Sequence, residues 1–303
     1  MKETTNLWKT YGPVLALILI IVIILVWSIS ANVMSGTNLP QMTISHSIWL
    51  IVIGMLAGLV GGLIGTGGCS VMLPAIHFWL GYPAPIAVGT TLFAVVFTAI
   101  SGGYGHLIRK NLDVRATVWV GISGIAGVII GSYLFELLTT HVALLGLILG
   151  LAFVWPAVRM IWEGLLQAKK PQATGDRIPG PTWGWAIMGV LVGVLTGVVG
   201  LGGGYALVPG FIYLFGAPVY ITMGTSLATM IPLAVVGGAI KLAQGFVALG
   251  AGLILAAGTV VGAQIGAATI KRFRPTTLKL IFGFYFLYVS LKFIAGFFGI
   301  RIW

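Results

Sequence analysis

Charged residues are scarce in this chain, and acidic residues are the scarcest. Only 7% of the 303 residues are charged, with 16 Lys or Arg against 5 Asp or Glu. A soluble domain carries about 25% charged residues, so this sequence cannot cover a water-facing surface. Hydrophobic residues make up 59% of the chain, and the mean hydropathy is +1.10. The apolar runs are long enough for membrane helices and lack the alternation of membrane strands. We therefore predict an all-α polytopic membrane protein.

Other absences narrow the function. No acidic residue lies clearly within an apolar run, so no carboxylate proton relay is evident. The net charge of +11 forms no basic stripe with interleaved aromatic residues, which argues against nucleic-acid binding. The single cysteine, Cys69, excludes an internal disulfide and a cysteine-based metal site. His46, His77 and His141 lack metal-ligand spacing. We expect no metal, no cofactor, no nucleic-acid partner and no enzymatic role.

The N-terminal region carries one apolar run, from Pro13 to Ile29, preceded by Lys2 and Lys9. The run is longer than the 7–15 residues usual for a signal-peptide core, and no A-x-A cleavage site follows it. We favour an uncleaved transmembrane helix over about 12–30, with a secretory signal as the alternative.

The sequence contains an internal repeat whose two copies lie 135 residues apart. The first copy, Gly65–Pro74, reads GTGGCSVMLP, and the second, Gly200–Pro209, reads GLGGGYALVP. The identities continue on both sides without a gap, from Gly54 and Gly189 onward. A duplication whose best-matched part is a poor helix former is typical of transporters with a binding site at the repeat interface.

The apolar runs and polar interruptions give the domain boundaries. We predict an accessory helix and loop over 1–45, a first repeat over 46–162, a cytoplasmic linker over 163–182 and a second repeat over 183–303. The predicted membrane segments are 46–64, 68–80, 86–108, 115–136 and 140–160 in the first repeat, and 183–199, 203–215, 220–243, 247–270 and 276–299 in the second.

Five segments per repeat predict inverted-topology repeats, because the second copy then enters the membrane from the opposite side. A cytoplasmic N-terminus leaves only Lys241, Lys279, Lys292 and Arg301 outside the cytoplasmic loops, so twelve of the sixteen basic residues lie there. This distribution agrees with the positive-inside rule. Two parallel repeats would instead need an even number of segments.

The two glycine runs should break the helices in which they lie. Each glycine costs about 1 kcal/mol relative to alanine, and a proline follows six positions after the run and removes a donor. The short segments are therefore predicted to be broken or partly re-entrant. A helix that begins inside the membrane exposes unpaired N–H groups and its positive dipole end, which suit an anion.

We predict that the two breaks face each other near the bilayer midplane and bind one anion. The predicted backbone contacts are Gly65, Thr66, Gly67, Gly68, Gly200, Leu201, Gly202 and Gly203. The alternative is that the glycines only permit close helix packing. We favour that interpretation for Gly54, Gly58, Gly62, Gly127 and Gly131.

Hydroxyl groups lie near both breaks. Ser70 follows the first break, and the repeated elements GTTLF and GTSLA contribute Thr90, Thr225 and Ser226. Such hydroxyls can line an oxyanion path, or they can bond their own backbone carbonyls. Both interpretations stay open for these residues, which we include in the predicted substrate site.

Two ionisable residues occupy equivalent positions inside predicted helices, His106 and Lys241. They are candidates for gates at opposite membrane faces, since ionisable residues in a membrane are costly. The alternative is that both are interfacial, with Lys241 snorkelling outward. Arg109 and Gln244 form a similar equivalent pair. We interpret Cys69 as a small packing residue rather than a nucleophile.

The paired G-x-G-G-x(5)-P signature, at Gly65–Pro74 and Gly200–Pro209, resembles the TauE/SafE sulfite exporter family, also called the 4-toluene sulfonate uptake permeases. The G-T-T/S-L elements at Gly89 and Gly224 look like the family's pattern too. The resemblance covers about 46–300 and implies transport of sulfite, sulfonates or related anions across a bacterial or archaeal inner membrane. The N-terminal helix departs from the shorter members, and Cys69 has Gly204 as its equivalent.

The function we predict is secondary transport, with export favoured, of sulfite or a related small sulfur-containing anion or organosulfonate by alternating access. The expected partners are a small anionic substrate and the lipid bilayer. A homodimer is the oligomeric state that we consider. The alternatives are an anion channel, a proton-coupled uptake permease for an organosulfonate, a membrane enzyme with Cys69 as nucleophile, and a non-catalytic subunit or sensor.

Overall fold

The structure, a computed structural model, describes residues 7–30, 39–166, 175–269 and 275–300. Within these ranges it is helical and contains no strand. The helices are α1 (Leu7–Ser30), α2 (Ile44–Ile64), α3 (Cys69–Pro74), α4 (Ala84–Leu107), α5 (Val114–Thr139), α6 (Val142–Leu166), α7 (Thr182–Val199), α8 (Gly204–Pro209), α9 (Val219–Ala243), α10 (Leu249–Thr269) and α11 (Pro275–Phe297).

Seven of the described helices are long and apolar enough to cross a membrane: α2, α4, α5, α6, α7, α9 and α10. Shorter apolar helices occupy Gly12–Trp27, Cys69–Trp79, Gly204–Leu214 and Gly283–Phe297. The prediction of an all-helical polytopic protein is therefore confirmed. The basic residues Lys2, Lys169, Lys170, Lys271, Arg272 and Arg274, on which part of the predicted orientation depends, lie outside the described residues.

Local chemistry fixes several helix starts. Thr43 caps α2, since its hydroxyl accepts a hydrogen bond from the His46 amide at 3.2 Å. Asp113 caps α5 by accepting from the amides of Arg115 and Ala116. Its second carboxylate oxygen accepts from the Ile178 amide at 2.8 Å, which attaches the end of the linker to this cap.

The short helices α3 and α8 each continue into a π-helical turn, Ala75–Trp79 and Gly210–Leu214. Both turns begin directly after the proline of the repeated pattern, Pro74 or Pro209. Proline cannot donate the next helical hydrogen bond and its ring crowds the preceding turn, so the helix widens there. The sequence prediction had no such turns in these segments.

The first short segment returns to the end of the molecule where α2 begins. The Nε2 atom of His46, near the start of α2, lies 3.1 Å from the Tyr82 hydroxyl, just beyond the π-helical turn. From His46 to its end, α2 rises about 27 Å over eighteen residues. The eleven helical residues Cys69–Trp79 and the short extended stretch to Tyr82 cover about the same distance in the opposite direction. In the second half, the Phe215 ring similarly lies against Gly184 at the start of α7. In each half, the long helix, the break and the short helix therefore form a hairpin.

Helices of the two halves pack in close, glycine-lined pairs. Helix α2 packs along α10, and α7 packs along α5. A Cβ added to Gly58 would lie 2.7 Å from the Thr259 Cα, and one added to Gly193 would lie 2.9 Å from the Val128 amide nitrogen. Added Cβ atoms at Gly54, Gly62, Gly127 and Gly131 would also meet backbone of the facing helix. The packing interpretation of the glycines in α2 and α5 is confirmed.

Candidate functional site

The two breaks have the same backbone conformation. The left-handed φ angles are 79°, 73° and 75° in the first break and 70°, 67° and 83° in the second, at Gly65, Gly67, Gly68, Gly200, Gly202 and Gly203. Residues with a side chain adopt left-handed φ angles at a cost of about 1–2 kcal/mol. This cost explains why glycine occupies each of these positions. Thr66 and Leu201 stand between the glycines.

The structure brings the two breaks into direct contact. The Cys69 thiol at the start of α3 donates a hydrogen bond to the Leu201 carbonyl in the second break. In the other direction, a Cβ added to Gly204 would lie 2.6 Å from the Thr66 Cα. Ser226, from α9, donates to the Gly65 carbonyl at 2.8 Å. The predicted backbone contacts of the two halves therefore lie together at one place.

Both breaks contain buried amides that are left unpaired. The N–H groups of Gly67, Gly68, Gly202 and Gly203 donate to no backbone carbonyl of the described residues. A buried donor without an acceptor costs about 1–3 kcal/mol, so native proteins retain very few of them. Two such groups in each of two touching breaks favour a site that receives its acceptors from a ligand or from water.

Side chains fill the space directly between the breaks. A Cβ on Gly202 would lie 2.5 Å from the Met230 Cε and 2.9 Å from the Val95 Cγ1, and one on Gly67 would also approach both side chains. Val95 in α4 and Met230 in α9 are equivalent residues of the two repeats. An anion that contacts both pairs of amides must therefore displace Met230, whose unbranched thioether chain repacks readily.

The hydroxyls of the repeated G-T-T/S-L elements hold the two halves together. Thr90 accepts from the Ala248 amide at 2.9 Å, and Thr225 accepts from the Asp113 amide at 2.9 Å. Ser226 contacts the first break, whereas the hydroxyls of Ser70 and Thr66 have no partner among the described residues. The hydroxyls of Ser70, Thr66 and Ser226 therefore lie at the breaks, and the unpaired Tyr205 hydroxyl lies just after the second break.

His106 and Lys241 are both completely buried. The His106 Nε2 lies 3.0 Å from the Gly62 carbonyl oxygen, close to the first break. The Lys241 Nζ lies 3.2 Å from the centroid of the Phe135 ring and has no hydrogen-bond partner in the described part of the chain. The interpretation that Lys241 snorkels outward is wrong, because α5 covers its side chain. A gate role for the two residues stays a prediction.

Arg109 and Gln244, the second pair of equivalent polar residues, bind different partners. Gln244 donates to the Glu136 carboxylate at 2.9 Å, and Arg109 donates to the Gly105 carbonyl of its own helix. Cys69 is buried, with its thiol bonded to backbone carbonyls, as the packing interpretation requires. The described residues include no group of three His, Cys, Asp or Glu side chains that could hold a metal ion.

A cleft reaches Thr66 of the first break and Tyr205 at the start of α8, and we call it the α6–α8 cleft. The cleft has a volume of about 70 Å³. Its mostly apolar wall includes Thr66, Trp155, Arg159, Glu163, Tyr205 and Tyr213. Sequence reasoning missed Tyr205 and Tyr213, since their equivalents Ser70 and Phe78 are chemically different. It assigned Arg159 only to the topology.

The equivalent surface in the other half is packed shut. Thr66 and Tyr205 are 6% and 7% exposed in the cleft, whereas their equivalents Leu201 and Ser70 are 0% and 1% exposed. On that side the Phe293 ring stacks on His77 with centroids 5.5 Å apart and meets Phe78 at 4.7 Å. The two equivalent surfaces therefore differ, because the side chains next to the breaks are slightly accessible on the cleft side and fully covered on the other.

Comparisons with known proteins place the chain among membrane transporters. A family model described as sulfite exporter TauE/SafE matches residues 50–293. A probable membrane transporter of Bacillus subtilis, YdhB, is 28% identical over 233 residues, which is 76% of this chain and 93% of the relative. A probable membrane transporter of Methanocaldococcus jannaschii is 26% identical over 250 residues, 77% of this chain and 89% of the relative.

A plant protein is similar over a shorter stretch. The sulfite exporter TauE/SafE family protein 3 of Arabidopsis thaliana is 29% identical over 92 residues, 30% of this chain and 19% of the relative. No solved structure shows significant similarity to the chain.

Proposed function

The chain belongs to the sulfite exporter TauE/SafE family, and on that premise we propose that it is a secondary transporter which exports sulfite or a related small sulfur-containing anion by alternating access. The observation that carries this proposal is the pair of facing breaks with unpaired, buried amides at Gly67, Gly68, Gly202 and Gly203. Amides at helix starts bind oxyanions without a buried cation. A negative cell interior favours export by about 2.3 kcal/mol per charge and 100 mV.

The two halves are proposed to be inverted-topology repeats. The hydrogen bond from the Ala248 amide to Thr90 has a counterpart from the Asp113 amide to Thr225. Moving Thr90 and Asp113 forward by 135 residues gives Thr225 and Ala248, so exchanging the halves returns the same pair of bonds. A two-fold axis produces this reciprocity, whereas a simple translation does not. With the cytoplasmic N-terminus that the basic residues favour, the axis lies in the membrane plane.

Alternating access is supported by the difference between the two ends. The α6–α8 cleft reaches Thr66 and Tyr205, while the equivalent surface is closed by the ring contacts of Phe293. In the proposed bacterial or archaeal inner-membrane orientation, the end of α6 at the cleft lies in the cytoplasm, so this state would accept an anion for export. An open channel would need a continuous path, which the packed end does not provide.

A non-enzymatic role is part of the proposal. The relatives are named probable membrane transporters. The one thiol, Cys69, is buried and donates to the Leu201 carbonyl, which does not suit a nucleophile that must meet a substrate.

The proposal is tested by flux from proteoliposomes loaded with sulfite, sulfate, thiosulfate or p-toluenesulfonate, with and without a pH gradient. We expect saturable efflux of at least one sulfur anion above the rate from protein-free liposomes, and little dependence on the pH gradient. A rate that requires the gradient would favour the proton-coupled permease. If no anion moves and none binds at equilibrium, the proposed anion site is wrong.

A further inference from the structure

The ionised side chains that line the α6–α8 cleft are Arg159 and Glu163, one helical turn apart near the end of α6. We propose that Arg159 forms a second anion-binding subsite at the mouth of the cleft, and that Glu163 competes with the anion for it. This inference rests on the proposed function to the extent that an anion enters the cleft.

The contacts of Arg159 leave part of its guanidinium available. Its Nε donates to the Glu163 carboxylate at 2.9 Å, and its Cζ lies 3.7 Å from the centroid of the Tyr213 ring. No acceptor among the described residues bonds its terminal amino groups. The guanidinium lies over the ring, and a planar guanidinium presents paired N–H groups to an oxyanion. The Arg159 side chain is 36% exposed, whereas that of Glu163 is 6% exposed.

Polar groups continue from this mouth toward the breaks. Tyr205 in α8 lies eight residues before Tyr213 in the π-helical turn that continues it, a rise of about 12 Å. Tyr205 and Thr66 line the inner part of the cleft, both are more than nine-tenths buried, and their hydroxyls have no partner among the described residues. An anion that leaves Arg159 therefore meets unpaired hydroxyls before it meets the amides of Gly67 and Gly202.

Glu163 explains how the cleft can stay empty without an unpaired charge. A guanidinium in an apolar cleft is costly unless it is paired, and the carboxylate pairs it. An entering anion must displace or share that contact. Removing Arg159 should then weaken anion binding, while removing the Glu163 charge should strengthen it. A salt bridge with a purely structural role predicts the same direction for both changes.

The experiment compares variants of the full chain in liposomes, with sulfite and p-toluenesulfonate as probes, and measures KM and kcat from initial rates in both directions. A charge-assisted hydrogen bond contributes about 1.5–3 kcal/mol, so we expect Arg159→Gln to raise KM roughly 10–100-fold with kcat little changed. Glu163→Gln should lower KM, and the double variant should behave like Arg159→Gln. Arg159→Lys, which keeps the charge, should lie between wild type and Arg159→Gln.

Arg115→Gln is the matched control. It removes one guanidinium that also lies over an aromatic ring, that of Trp185 at 5.5 Å, but outside the cleft. Its KM should equal that of wild type. The inference is overturned if Arg159→Gln has the KM of Arg115→Gln, or if Arg159→Gln and Glu163→Gln shift KM in the same direction.

Equilibrium binding of the same probes to the protein in nanodiscs separates the inference from the proposed function. If wild type moves neither probe, the proposed function fails, and weaker binding by Arg159→Gln than by Arg115→Gln still supports the subsite. If neither probe binds wild type, or both variants bind equally, the subsite is absent.

Discussion

Alanine at Gly67 or Gly202 is expected to reduce anion flux about a hundredfold while the protein still folds, because a methyl group enters the space that an anion needs to reach the amides. At both positions the nearest atom to an added Cβ is the Met230 methyl carbon, the end of a flexible side chain. The folded structure can therefore adjust, whereas a ligand in the same space is excluded. Flux from proteoliposomes and the melting temperature of the purified protein measure the two effects separately.

Two other glycines supply the matched controls. Gly81 and Gly216 are also equivalent residues with left-handed φ angles, 76° and 65°, and an added Cβ would have no neighbour within 4 Å. Alanine there costs the same backbone strain without approaching the breaks. Gly58→Ala, which would push against the Thr259 backbone, should lower the melting temperature instead. Equal losses of flux and melting temperature at Gly67, Gly81, Gly202 and Gly216 would show that the break glycines serve conformation alone.

Lys241→Met is expected to raise the melting temperature and to lower flux about tenfold or more. The Lys241 amine is buried over the Phe135 ring without a hydrogen-bond partner in the described part of the chain. A ring face compensates a desolvated cation by about 2 kcal/mol, and the Glu136 carboxylate attracts it further, but the burial of a charge costs several kcal/mol. Methionine has nearly the same length and removes that cost. The gate prediction implies that Lys241 lowers the stability of the fold and is retained because transport needs it.

Lys110→Met is the control, since it removes the same charge from an exposed position. It should leave both measurements near wild type. Wild-type flux in Lys241→Met would end the gate prediction for this residue. A lower melting temperature in that variant would show that the buried amine stabilises the fold and would contradict our description of its surroundings.

The breaks were predictable from the sequence because the local backbone conformation itself requires glycine. Left-handed φ angles at Gly65, Gly67 and Gly68 need glycine, and the exact spacing of the second copy revealed the same requirement there. The close helix pairs at Gly58 and Gly127 were predictable for a similar reason, because small residues four apart permit backbone contact.

The rest of the site depends on which side chains meet across the two halves, and the sequence does not carry that information. Met230 fills the space between the breaks, although nothing in its neighbourhood on α9 marks it. Tyr213 meets Arg159 from a different repeat. The snorkelling alternative for Lys241 followed from its position near a helix end, and it is wrong because Phe135 of another helix covers the amine.

The central claim is that an anion crosses by alternating exposure of one site between the two breaks. Its most direct test is counterflow: the initial uptake of labelled sulfite into proteoliposomes that contain either unlabelled sulfite or none. We predict saturable uptake that is several-fold faster with sulfite inside, because a loaded site returns more readily than an empty one. Uptake that does not saturate and is the same with and without internal sulfite would contradict alternating access and indicate a channel.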